Sequence, residues 1–242
     1  MKMPWQKRAT VIMAIFLVAA ALRTVFILYE RRQPPEPKEA PKATYQPTAD
    51  DYVFLRKSYA YDVKTAAAEL DGKAVWVSAG NQLPYYPYSA ASRRVDFKHD
   101  AGVLAPLAEL EITGVQVAEQ SPATDKQVMA IFHREGQAEE YAVAIGAVSE
   151  GNYRFIVNDI FFLDDPHSLY KRWPAEVWNA IDHHEVIKGM TELQAGLSLG
   201  TAAHASPGEV GDRTIEYSNA GKPARVTFAG NHATEVSTAP SP

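Results

Sequence analysis

An apolar run over residues 9–29, interrupted only by Arg23 and two threonines, constrains this chain more than any other feature. It is the one stretch long enough to cross a bilayer, which takes roughly 20 predominantly apolar residues. Pro34, Pro35, Pro37, Pro41 and Pro47 follow, set among charged and small residues. Proline fixes φ and withholds a donor, so this segment favours extended, polyproline-type spacing. The rest of the chain reads as folded. The expectation is a domain tethered to a membrane by a stiff stalk.

Two readings of the N-terminus compete. Lys2, Lys7 and Arg8 ahead of Ala9–Leu22, with small residues at Ala19–Ala21, resemble a cleaved signal peptide. Against cleavage, the apolar pattern resumes after Arg23 as Val25–Tyr29, and Trp5 and Tyr29 sit where interfacial aromatics belong. The favoured reading is an uncleaved single-pass helix in the inner (plasma) membrane. A short basic tail before an apolar core begins export signals, so the C-terminal domain is expected to be extracytoplasmic, in the periplasm.

Charge is unevenly spread. Residues 1–32 hold six basic side chains against Glu30, +5, so the remainder carries −10 of the net −5. Nucleic acid is a poor partner for such a domain, because that affinity comes mainly from Lys and Arg neutralising phosphates. The same total argues against general attraction to anionic lipid surfaces. With no cysteine, disulfide scaffolds, Cys-ligated zinc, Fe–S clusters, thiol nucleophiles and a lipidated N-terminal cysteine are all excluded. No cofactor is implied.

From residue 50 to 165 short runs of β-branched and aromatic residues dominate: 73–79, 111–117, 128–133, 141–145 and 153–157, separated by turn formers at 80–81, 121–125, 134–137 and 149–152. Apolar parity shifts across Gly114, as a β-bulge would cause. Tyr52, Leu55 and Tyr59 share one helical face, which predicts a helix over 50–70. Leu70–Val77, an irregular loop at Leu83–Tyr88, then Gly102–Ile112 and Tyr141–Gly146 follow the order of bacterial Src-homology-3-like barrels, which the region resembles over about 70–148. That resemblance implies a fold that binds peptides or cell-wall polymers through aromatic loop residues. Tyr85, Tyr86 and Tyr88 are the candidate ligand-binding residues. The competing reading packs them onto the barrel.

Beyond residue 165, Pro174 suits a helix start, with Val177, Trp178 and Ile181 at helical spacing. Thr191 with Gln194 makes a capping box, and Gly200 closes that helix. Residues 214–217 and 225–228 alternate as half-buried strands, and Gly230-Asn231 reads as a tight hairpin. Gly189-Met190-Thr191, Gln194, Leu199-Gly200, Tyr217 and Val226–Phe228 make residues 175–237 resemble the SmpA/OmlA (BamE-like) domain family. The resemblance implies a small non-enzymatic module making protein–protein contacts at the bacterial envelope. Its envelope members are commonly lipoproteins, and this chain has no cysteine to lipidate.

For chemistry, Asp182-His183-His184-Glu185 is the densest set of ligand-type side chains. Neighbours on a helix point about 100° apart and do not converge on one ion, unlike His-Glu-x-x-His. Asp164, Asp165 and His167 offer a carboxylate pair and a base, yet Asp-Asp-Pro before a helix more often turns and caps it. The expected fold class is α+β: a transmembrane helix, a small antiparallel Src-homology-3-like β-barrel, and a module of two helices with a three-stranded antiparallel sheet. The expected divisions are a cytoplasmic tail (1–8), the helix (9–29), a linker (30–49), a β-rich domain (50–165), a BamE-like module (166–237) and a disordered tail (238–242). The expected function is non-catalytic protein binding or scaffolding at the envelope, the partners being the membrane and an envelope protein or cell-wall ligand. Two alternatives stay open: a metal-dependent hydrolase using Asp164, Asp165, His167 and residues 182–185, and a cell-wall ligand sensor using the tyrosines.

Overall fold

Runs of β-branched and aromatic residues between turn formers build most of this protein. The computed structural model describes residues 49–120, 126–134 and 136–238, together with Leu17, Leu22, Arg23, Thr24 and Phe26. Strands β1 (Ala74–Val77), β2 (Pro84–Ser89), β3 (Arg94–Val95), β4 (Gly102–Val103), β5 (Glu109–Ala118), β6 (Lys126–Arg134), β7 (Glu140–Ser149), β8 (Asn152–Phe155) and β9 (Phe161–Phe162) form one nine-stranded antiparallel sheet. The order is β3-β2-β7-β6-β5-β1-β9, with β4 beside β2 and β8 beside β7. A register shift between Ile112 and Gly114 marks the bulge that the parity change predicts.

Successive side chains of a strand leave on opposite faces, and here both faces of the sheet centre are covered. Val128, Ala130 and Phe132 of β6, with Val143 and Ile145 of β7, enter the main core beside Leu110 and Ile112. Met129, Ile131 and Ala142 leave on the other face, under Tyr86, Tyr88, Val95 and Phe97. Burying each of the larger side chains contributes about 1.5–3 kcal/mol.

Among the described residues five short α-helices accompany the sheets: α1 (Val63–Leu70), α2 (Val157–Ile160), α3 (Pro166–Leu169), α4 (Ala175–Asp182) and α5 (Glu192–Leu199). Thr191 Oγ1 accepts the Gln194 N–H and Gln194 Oε1 accepts the Thr191 N–H, so the capping box that opens α5 is complete. A second antiparallel sheet has the order β10 (Ala202–Ala205), β11 (Thr214–Tyr217), β12 (Ala224–Ala229), β13 (His232–Thr238). Ala195 and Leu199 of α5 pack on Ile215, Tyr217, Val226 and Phe228. Burial pushes the Tyr217 phenol far above its usual range. Trp76 and Leu107 join a third cluster with Trp173, Val177, Met190 and Leu197. Asn81 Nδ2 donates to the Leu199 carbonyl at 2.9 Å, and the Thr201 N–H donates to Gly80 O at 3.1 Å. Residues 49–238 thus lie within one compact unit.

The α+β fold class is corrected: the protein is mostly β, with a large antiparallel sheet. The expected small barrel is exceeded because residues 84–89, read as a loop for their prolines, form strand β2 beside β7. Pro84 occupies the first strand position, where proline is tolerated. The expected three-stranded sheet is four-stranded, because Ala202–Ala205 pairs with β11. The single-pass helix expected over 9–29 finds no counterpart among the described helices. No helix among the described residues is long and apolar enough to cross a membrane. Apart from Leu17, Leu22, Arg23, Thr24 and Phe26, the run over 9–29 lies outside the described residues. The helix expected over 50–70 begins instead at Val63, behind an N-cap at Asp62.

Candidate functional site

The proline-spaced tyrosines occupy β2 and alternate across the sheet. Tyr85 is only 7% exposed and turns into the main core. Its ring meets Tyr141 and Phe132 edge-on, with centroids 5.2 and 6.0 Å apart. Arg134 Nη1 donates to its hydroxyl at 3.1 Å. Tyr86 packs against Phe97, and Tyr88 donates its hydroxyl to Gln116 Oε1 at 3.2 Å. Each ring therefore has an intramolecular partner. Close by, Glu109, Glu111, His133, Arg134 and Gln137 line an open cleft of about 460 Å³.

A second group gathers around α3 and α4. Asp165 caps α3: its carboxylate accepts the His167 N–H at 2.9 Å and the Ser168 hydroxyl at 3.0 Å. Burial opposes its charge, but these hydrogen bonds outweigh burial and hold the carboxyl below its ordinary value. The His167 ring stacks on Trp178 at 4.0 Å, with Nε2 3.1 Å from Asp182 Oδ1 and Nδ1 3.3 Å from Asp165 Oδ1. Trp173 stacks on Tyr170 and donates its indole N–H to Asp50 at 3.0 Å. Asp164 turns away, to Arg56 at 3.2 Å.

Residues 182–185 form a helix stop. The His184 N–H donates to Ile181 O and the Glu185 N–H to Ala180 O, the two bonds of a Schellman motif. His184 holds the left-handed position at φ 55°, where glycine is usual. Its Nδ1 donates to Ser198 O at 3.1 Å, and His183 Nδ1 donates to Asn179 O at 2.7 Å. The side chains diverge, as consecutive helical residues must. Among the described residues no group of three or more His, Asp or Glu side chains is placed to hold a metal ion. The structure thus brings Asp165, His167 and Asp182 together, and leaves Asp164, His183, His184 and Glu185 apart.

Two features escaped the sequence reading. One is the edge of the second sheet. Ala233 accepts the Gly189 N–H and donates to Met190 O, but from Thr234 to Thr238 β13 has β12 as its only strand neighbour among the described residues. The other is the extended segment 53–61, whose signal was present: Asp62 followed by Thr65 three residues on is a capping signature, and it starts α1 at Val63.

No protein-family model, curated protein or solved structure matches the chain.

Proposed function

We propose that this protein is a non-catalytic protein-binding or scaffolding module of a bacterial cell envelope, held at the extracytoplasmic side of the plasma membrane. The observation that carries the reading is the open edge of β13. Unpaired strand edges are templates for adding a strand from another chain. A partner strand there would continue the ladder that Gly189 and Met190 begin at Ala233. The edge carries no lysine or proline to guard it. The envelope location rests on the apolar run and basic tail of the sequence, and on the resemblance of residues 175–237 to BamE-like domains.

The reading is tested by purifying the full chain from crosslinked membranes. One protein should co-purify in fixed ratio, and Glu235→Lys with Ser237→Lys should abolish this without lowering the melting temperature. Stoichiometric zinc, with a hydrolysis lost in His167→Ala, would replace the reading with the hydrolase.

A further inference from the structure

Residues 53–61 form an extended strap that is pinned to the body at its middle while its rings face water. Ser58 is buried, and the pin is reciprocal: its N–H donates to Asn158 Oδ1 at 2.7 Å and its carbonyl accepts from Asn158 Nδ2 at 2.9 Å. Its hydroxyl donates to Glu69, which also accepts the Tyr59 N–H at 3.2 Å. Arg56 donates to the Leu163 carbonyl and pairs with Asp164. The Tyr61 N–H donates to Thr65 Oγ1 at 3.1 Å. Yet Phe54 is 92% exposed, Tyr59 80%, Tyr61 72% and, just ahead of the strap, Tyr52 68%. Such a set of large rings exposed on one pinned segment is unusual for a surface with no partner.

Cations lie beside the rings. Arg56, Lys57 and Lys73 line a hollow of about 210 Å³ next to Leu163 and Glu69. The Glu69 carboxylate accepts from Ser58 and Tyr59, Arg56 pairs with Asp164 and Lys73 Nζ donates to the Glu69 carbonyl, so Lys57, an exposed ammonium, is the cation best placed to face an incoming anion. Residues 33–242 sum to −10, so the attraction is local to this hollow. Aromatic rings with adjacent cations are the chemistry of a membrane interface, where tyrosines settle at headgroup level and basic groups meet lipid phosphates. The strap also lies near the start of the described folded unit, a few residues after the proline-rich stretch and on the side of the chain that carries its longest apolar run.

We infer that the strap docks on an anionic phospholipid surface, with Phe54, Tyr59 and Tyr61 entering the headgroup layer and a lipid phosphate seated among Arg56, Lys57 and Lys73. This contact is independent of what β13 binds. The absence of cysteine makes the test clean. The full chain carries Phe54→Cys, Tyr59→Cys or, as the remote control, Glu216→Cys, each labelled with an environment-sensitive nitrobenzoxadiazole dye. It is mixed with vesicles of phosphatidylcholine alone or with a third phosphatidylglycerol. The dye at 54 and at 59 should brighten at least twofold and shift to the blue on the anionic vesicles, while 216 stays unchanged. Lys57→Glu with Lys73→Glu should halve that response or more at unchanged melting temperature. The inference is overturned if 54 and 59 behave like 216, or respond equally to neutral vesicles. It is equally overturned if they respond only when envelope proteins are added, which would make the strap a protein surface.

Discussion

Replacing Gly200 by alanine tests how the two sheets are joined. Gly200 ends α5 at φ 84° and ψ −159°, a region essentially reserved for glycine, so any side chain there costs about 1–3 kcal/mol in backbone strain. An added Cβ would also stand 2.5 Å from Gly80 O and 3.0 Å from Asn81 Nδ2. The first of those atoms accepts the Thr201 N–H, and the second donates to Leu199. Both belong to the contact between the sheets and have little room to retreat. Overpacking of this kind adds about 1–3 kcal/mol. The expected total is about 2–6 kcal/mol, or a drop of roughly 5–20 °C in melting temperature for a unit of this size. Circular dichroism of the purified protein reads it directly. Two companions separate the causes. Gly189→Ala, at φ 88° with nothing within 4 Å, should show the backbone part alone. Gly196→Ala, inside α5 and equally open, should stabilise by about 0.5–1 kcal/mol. If Gly200→Ala melts within two degrees of the parent, or no lower than Gly189→Ala, the close junction is wrong.

Further outcomes are expected elsewhere. Tyr85→Ala should cost about 3–5 kcal/mol in urea denaturation, since the ring fills the core against Phe132 and Tyr141; a loss under 1 kcal/mol would return it to the ligand-binding candidates. His184→Gly should relieve strain at the helix stop and change stability by no more than about 1 kcal/mol, the lost bond to Ser198 offsetting the gain. The carboxyl of Asp165 is held low in the folded state, so its contribution is complete above the unfolded range near pH 4 and is lost as pH falls through the folded value. Asp165→Asn should accordingly flatten the fall of melting temperature between pH 5 and 3, and an unchanged slope would contradict the capping role. Asp71, whose carboxyl is pushed up by burial, works in the opposite direction.

Local signals in the sequence were legible where one physical rule acts alone. Thr191 and Gln194 cap α5, Gly114 marks a bulge, and residues 214–217 are a strand, because caps, parity and alternation are set by neighbours in the chain. The size of the large sheet was not legible. Its central strands are buried on both faces, so their apolar residues do not report which strands lie beside them, and Pro84 and Pro87 disguised β2 as a loop. Tyr52, Leu55 and Tyr59 fit a helical period by coincidence, and the fixed point at Ser58 depends on Asn158, a hundred residues away. At the candidate site, the pairing of His167 with Asp182 needs the fold of α3 against α4, which spacing alone does not give.

Photo-crosslinking from β13 in intact cells addresses the binding proposal most directly. A photoreactive group at Ser237, with one at Glu216 on the paired face of β11 and β12 as control, is activated during growth. The account predicts one discrete adduct with a second protein from position 237 and none from 216, lost when Glu235 is changed to lysine. Adducts of equal yield from both positions, or none from 237, would contradict it.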